Sequence, residues 1–231
     1  MECYYYKLYS NLHMNILITA ATDFELQIIR EKTDFIEHHN LQFCALGIGC
    51  TATAYRLANK IFHNDYDMIL NVGIAGSFNE NLSIGDVVVV ENENFGNLGI
   101  TYPTKFSTLF DEGLIDKNEY PFSDGKLICP YLDKFDTKKF KRVSGVTVDA
   151  TSGKQNQIER LKKMFNADIE TMEGAAFFYV CFCENIQFLE IRAISNYVET
   201  RNKSKWNIPF ALNNLSNSLF DFLNNLQTQY K

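Results

Sequence analysis

The sequence is poor in proline, with four in 231 residues, and it has a single tryptophan. It has no apolar run near the roughly 18–20 residues that a membrane helix needs, so a bilayer is not an expected partner. Cations are not in excess either: 22 Lys and Arg against 28 Asp and Glu give a net charge of −6. A chain of that sign without clustered Lys and Arg has no footprint for nucleic acid, whose phosphates are held by dense positive charge. Metal-ligand spacing is missing too. Cys3, Cys44, Cys50, Cys129, Cys181 and Cys183 are scattered, His38 and His39 sit side by side in a polar stretch, and His13 and His63 are isolated. Cys181 and Cys183 are two apart, so on a helix they point to different faces and cannot share an ion. The cysteines read as reduced, buried thiols of a cytoplasmic protein, and no metal site is expected.

What is present is a chain 46% apolar and long enough for one domain with a sizeable core. The stretch MECYYYKLYSNLH ahead of Met14 lacks the apolar heart of a signal peptide. It stands just upstream of a clean strand, NILITA. Residues 1–13 are therefore expected to be an appendage, and 14–231 the folded unit. Near-continuous apolar strands are predicted at 15–20, 41–47, 67–72, 84–91, 141–148 and 188–194. Helices are predicted at about 23–32, 50–63, 153–165 and 174–184, with a last one marked by Leu212, Leu215, Leu219, Leu223 and Leu226. Strands of that kind alternating with helices predict a sheet buried on both faces. Residues 100–125, with Pro103 and Pro121 and no sustained periodicity, read as a long insertion, a candidate lid or subunit contact.

Five short segments carry candidate chemistry. Gly47-Ile48-Gly49-Cys50-Thr51-Ala52 matches a dinucleotide fingerprint, but the acid expected after the following strand is missing. The glycines are better read as a tight turn that packs helix on strand. Gly73-Ile74-Ala75-Gly76-Ser77 reads as a small-residue turn at a strand's carboxyl end, either structural or lining a site. Thr22-Asp23-Phe24-Glu25 is a capping box, with Glu25 also placed to hold a water. Glu173, in TMEGAA, is an acid in an apolar setting and needs a defined partner, a helix N-terminus or a sugar diol. Ser195 and Asn196 end the last strand. They either cap the helix after it or offer a base the donor and acceptor of one amide, which suits the N7 and O6 edge of a 6-oxopurine.

In that order and spacing, NILITAATDFE, NVGIAGSFNENLSIGDVVVV, ETMEGAAFFYVC and IRAISN resemble the purine nucleoside phosphorylase and nucleosidase superfamily. The likeness runs from Met14 to the C-terminal helix. It is close to the methylthioadenosine/S-adenosylhomocysteine nucleosidases and closer to the futalosine hydrolases of menaquinone biosynthesis. The resemblance implies a three-layer α/β/α sandwich with a central twisted mixed β-sheet, no cofactor, a small nucleoside as substrate, and a homo-oligomer (a dimer or larger). It carries ribose binding to Met172 and Glu173, water activation to Glu25, and a Gly-rich wall to Gly73–Ser77, with Gly76 against the purine. Base binding falls on Ser195 and Asn196.

Here the sequence departs from the adenine-cleaving members, which have Asp where this chain has Asn196. An amide suits a 6-oxopurine, as in inosine or futalosine, better than an adenine awaiting protonation at N7. Family phosphorylases hold phosphate with arginines, and neither 20–25 nor 73–77 contains one, which favours water as nucleophile. A methylthioadenosine/S-adenosylhomocysteine nucleosidase, a phosphorylase and a non-catalytic nucleoside-binding module are the alternatives. The segment after Asn196 falls where relatives shape the pocket for the 5′ substituent. Tyr197 or Trp206 is expected to stack an aryl ring there and Arg201 or Lys205 to pair a carboxylate, the alternative being a solvated basic loop.

Overall fold

The computed structural model of the chain describes residues 13–200 and 205–226. The expected extension, residues 1–13, lies outside the described residues except for His13, and Arg201 lies outside them as well. β1 (Asn15–Ala20) and β2 (Asn40–Ala45) are parallel neighbours, with α1 (Asp23–Thr33) crossing between them. α2 (Cys50–Phe62) then carries the chain back across β1 to β3 (Met68–Ser77). The two crossovers run in opposite directions along the sheet, so the right-handed rule puts their helices on opposite faces. α1 packs with α5 (Ile208–Asn224) on one face, and α2 with α4 (Gly174–Cys183) on the other. The sheet between these layers is mixed, as expected.

Local sequence accounts for the helices. Thr22 accepts from the Glu25 N–H while Glu25 reaches back to the Thr22 N–H, so the capping box forms and starts α1. α4 is apolar all round and correspondingly buried on nearly every side, with Phe177, Phe178 and Cys181 at zero exposure. The leucine stripe of α5 is buried as its spacing demands, and Asn207 caps that helix through the Phe210 N–H. α3 (Gln155–Phe165) ends on Asn166 in the left-handed region and packs Ile158, Leu161 and Phe165 onto a smaller core with Phe78, Val146 and Val148.

The sheet departs from a simple open one. β4 (Val87–Glu93), β8 (Lys141–Thr147), β9 (Ile169–Thr171) and β10 (Phe188–Tyr197) form a circuit that closes back on β3, because β10 pairs with both β4 and β3. β3 does not break at Gly73. It continues to Ser77 because β10 supplies a partner for its whole second half, so the expected turn at 73–77 is strand. On its other edge β3 pairs with β1 over Met68–Asn71 and with β9 at Gly76 and Ser77. Between them, at residues 72–75, two neighbouring strands diverge, and such a parting at strand carboxyl ends is where α/β sheets form crevices.

Residues 100–125 hold part of a hairpin, β5 (Gly99–Thr101) with β6 (Phe106–Thr108), and lead to the short β7 (Leu127–Ile128) on β4. Phe110 and Phe122 pack together, Phe122 rests on Tyr179 of α4, and the Tyr120 hydroxyl donates to the Phe182 carbonyl at 2.6 Å. The segment is fastened to α4, and none of its residues lines the crevice beside β3. Among the described residues no helix is long and apolar enough to cross a membrane.

Candidate active site

A cavity of about 370 Å³ opens where β1 and β9 part, within the range of small-molecule sites. Of the sequence-predicted residues it gathers Glu25, Gly76, Met172, Glu173, Ser195, Asn196, Tyr197 and Trp206 into its lining. Lys205 is not in that lining; its ammonium pairs with Glu199 Oε1 at 2.8 Å.

Glu25 serves the helix cap and the cavity together. Its Oε2 accepts from the Thr22 N–H at 3.0 Å and the Thr22 hydroxyl at 2.8 Å, while Oε1 accepts from the Ile74 N–H at 3.4 Å. The capping box thus holds the carboxylate in one orientation. A Cβ on Gly73 would sit 2.8 Å from Glu25 Oε1 and 2.7 Å from Arg192 Nη1, so only glycine lets these two groups approach the strand.

Sequence reasoning missed Arg192, which is the charged hub behind the cavity. It is 1% exposed, and its Nε donates to Glu190 Oε1 at 2.7 Å. Burial alone would lower its pKa, but the carboxylates of Glu190, Glu173 and Glu25 hold it above the ordinary value. A signal for it exists in the spacing: Glu190 and Arg192 are two apart in a strand and therefore share a face.

Glu173 has the defined partner that its burial demands, and it is not the N-terminus of α4, which its side chain does not cap. Its Oε1 accepts from the Gly49 N–H at 3.1 Å. Gly49 has φ 88° and ψ 163°, a backbone state essentially restricted to glycine. The Gly47–Gly49 turn is therefore structural, as expected, and it also aims an N–H at the site. Burial pushes the Glu173 carboxyl upward, against the opposing pull of Arg192 and the Gly49 N–H. Beside it Cys50 is pushed up to about 12, chiefly by burial, which leaves an inert thiol.

Asn196 owes its position to a bulge. β10 pairs Ile194 with Ala75 and Asn196 with Gly76, so Ser195 is an extra residue. The Ser195 hydroxyl lies 2.8 Å from Asn196 Oδ1 and 3.3 Å from the Ala75 carbonyl, and Asn196 Nδ2 donates to the Tyr197 carbonyl at 3.0 Å. These bonds fix the amide and leave it one N–H and one oxygen lone pair. Among the described residues the cavity lining contains no Lys, Arg or His, whereas it contains Glu25, Glu170, Glu173 and Glu199.

Residues 15–226 match the model of the phosphorylase superfamily. A futalosine hydrolase from Thermus thermophilus is 30% identical over 176 residues, covering 75% of this chain and 76% of that one. A 5′-methylthioadenosine/S-adenosylhomocysteine nucleosidase from Buchnera aphidicola is 30% identical over 171 residues, 71% of each chain. The structure of futalosine hydrolase from Helicobacter pylori superposes with a TM-score of 0.77 over 91% of this chain and 97% of that one, at 16% identity. The chain belongs to the phosphorylase superfamily, as a nucleosidase-type N-glycosyl hydrolase of the branch that holds the methylthioadenosine/S-adenosylhomocysteine nucleosidases and the futalosine hydrolases.

Proposed function

We propose that this protein hydrolyses the N-glycosidic bond of a 6-oxopurine nucleoside, and that the nucleoside is futalosine. The products are then hypoxanthine and dehypoxanthinyl futalosine, a step of menaquinone biosynthesis. The observation that carries the reading is the convergence of Glu25, Glu173 and Asn196 on one cavity whose described lining has no cation. Four carboxylates and, among the described residues, no positive lining group make a poor phosphate site, which supports water as the nucleophile. Residues 14–231 form the catalytic unit in this proposal.

As the C–N bond stretches, the ribosyl group gains oxocarbenium character. Glu173 accepts hydrogen bonds from the ribose hydroxyls beside Met172, and these strengthen as positive charge develops on the sugar. Glu25 orients a water and takes its proton while the water oxygen bonds to the anomeric carbon. The electron pair of the broken bond goes to the purine, where the free N–H of Asn196 meets the growing negative charge; the departing anion takes a proton from solvent to give hypoxanthine, and Glu25 returns its proton to solvent. Ser195 keeps that amide turned correctly. Tyr197, Phe24, Ile48 and Trp206 add an apolar side to the cavity, which suits the aryl ketone on futalosine's 5′ carbon.

A substrate panel tests this reading. Futalosine, inosine and methylthioadenosine are each incubated with and without phosphate, and the free base is quantified. Phosphate-independent release of hypoxanthine from futalosine is the expected result. Preference for methylthioadenosine moves the chain to the adenine-cleaving branch, and turnover of none of the three overturns the enzymatic reading.

A further inference from the structure

Three neighbouring strands bring Glu170, which the proposed chemistry does not use, level with two residues of the purine wall. Gly76 of β3 is in register with Glu170 of β9 on one side and with Asn196 of β10 on the other. Residues in register across a sheet project to the same face, and two strand spacings separate the outer pair by about 10 Å at Cα. All three line the cavity. A Cβ at residue 76 would stand 2.8 Å from Val198 Cγ2 and 3.2 Å from Asn196 Nδ2, so glycine is what lets those two side chains lie against β3. The result is a glycine flanked by an amide-bearing residue on one neighbouring strand and a carboxylate-bearing residue on the other, all three in the cavity lining.

Glu170 is held for a purpose other than charge pairing. It is 6% exposed, and Ser152 grips both of its oxygens: the Ser152 N–H donates to Oε1 at 2.9 Å, and its hydroxyl donates to Oε2. Burial pushes its carboxyl upward, and the only opposing influence is Ser152, with no cation taking part. An unpaired buried carboxylate is destabilising unless something else meets it. Each oxygen still has a lone pair, and both Glu170 and Ser152 face the cavity.

We propose that Glu170 is the specificity-determining residue that reads N1 of the base, accepting the N1–H of a 6-oxopurine whose other edge lies against Asn196. The inference rests on the reading of the cavity as a purine nucleoside site. A 6-oxopurine presents a donor at N1 and an acceptor at O6, matching a carboxylate and an amide N–H in turn. Adenine presents an acceptor at N1, which faces the Glu170 oxygens lone pair to lone pair. Discrimination then has two independent parts, attraction at Asn196 and exclusion at Glu170.

The test compares hypoxanthine with 1-deazahypoxanthine, which is nearly isosteric but has C–H in place of N1–H, as competitive ligands of the full-length protein. Wild type is expected to bind hypoxanthine about 10–100-fold more tightly, the range for one hydrogen bond to a charged group. Glu170→Gln and Glu170→Ala are each expected to reduce that ratio to near one, with the ratio for Ser152→Ala falling between. A role for Glu170 limited to bracing the Ser152 loop would weaken both bases equally and leave the ratio unchanged. The wild-type ratio needs no variant, so a ratio near one in wild type already overturns the proposal. If futalosine or inosine is cleaved yet the variants keep the wild-type ratio, the role of Glu170 fails while the nucleosidase reading stands. If neither base binds and no nucleoside is cleaved, both fail together.

Discussion

The backbone N–H of Gly49 and the carboxylate of Glu173, 124 residues apart in sequence, meet at 3.1 Å. That bond joins the turn before α2 to the turn before α4, two helices packed on the same face of the sheet. It also steadies the acid assigned to the ribose, because Gly49 occupies a backbone state that few other residues tolerate.

Gly49→Ala tests the link between turn and site. Forcing alanine to φ 88° and ψ 163° is expected to cost about 1–3 kcal/mol, which lowers Tm by roughly 2–4 °C per kcal/mol in a domain of this size. Because the same N–H holds Glu173, KM for the nucleoside is expected to rise as well. Thermal unfolding and steady-state kinetics on one preparation check both, and an unchanged KM would separate the turn from ribose binding.

Glu25→Gln retains the shape of the side chain and removes its basicity. A drop in kcat of about 10²–10⁴-fold is expected, the usual contribution of a general base, with nucleoside affinity largely retained. Equilibrium binding measured beside kcat distinguishes this from simple loss of the α1 cap. Turnover at the wild-type rate would remove Glu25 from the mechanism.

Asn196→Asp exchanges an amide for an acid at the purine edge. The ratio of kcat/KM for adenine nucleosides over 6-oxopurine nucleosides is expected to rise by about 10–100-fold, since one charged hydrogen bond changes sign. Competition between methylthioadenosine and inosine in one vessel reads the ratio directly.

Glu93 and Glu190 form the least comfortable part of the interior. Both are at zero exposure, and both would crowd the same Cβ on Gly174. Burial first, and then repulsion from Glu190, holds the Glu93 carboxyl well above its ordinary value, despite the Thr147 hydroxyl at 2.9 Å and the nearby Arg192. A carboxyl raised in the folded state binds its proton more tightly there than in the unfolded chain. Its stabilising effect is complete below the unfolded pKa and is lost as pH rises through the folded one. Glu93→Gln, which cannot ionise, is therefore expected to gain Tm relative to wild type as pH rises above the ordinary carboxylate pKa. A gap that narrows with rising pH would show that Glu93 is ionised in the native protein.

Much of the candidate site can be read along the chain because local chemistry carries it. Thr22 and Glu25 announce a capping box within four residues, and Glu173 is conspicuous as an acid among apolar neighbours. The Asn at 196 stands at the tip of a strand. Other features depend on pairings that no local pattern records. The small residues at 73–77 look like a turn until β10 is known to run beside them. The bulge at Ser195 exists only as a mismatch with Ala75 and Gly76. Glu170 gains its meaning from lying level with Gly76, and Lys205 looks available for a ligand until Glu199 is seen to hold it.

The sequence by itself determined the alternation of buried strands and amphipathic helices, the caps, the family and the types of acid and amide available for chemistry. Those arise from periodicities and short-range hydrogen bonds, which span a few residues. Tertiary structure alone decided which of these groups meet. Closure of β10 onto both β3 and β4 brings Arg192 behind Glu25 and Glu173, and sets Glu170 and Asn196 on either side of a glycine. Register between strands far apart in the chain is fixed by the packing of the whole sheet, and so the geometry of the site is a property of that sheet.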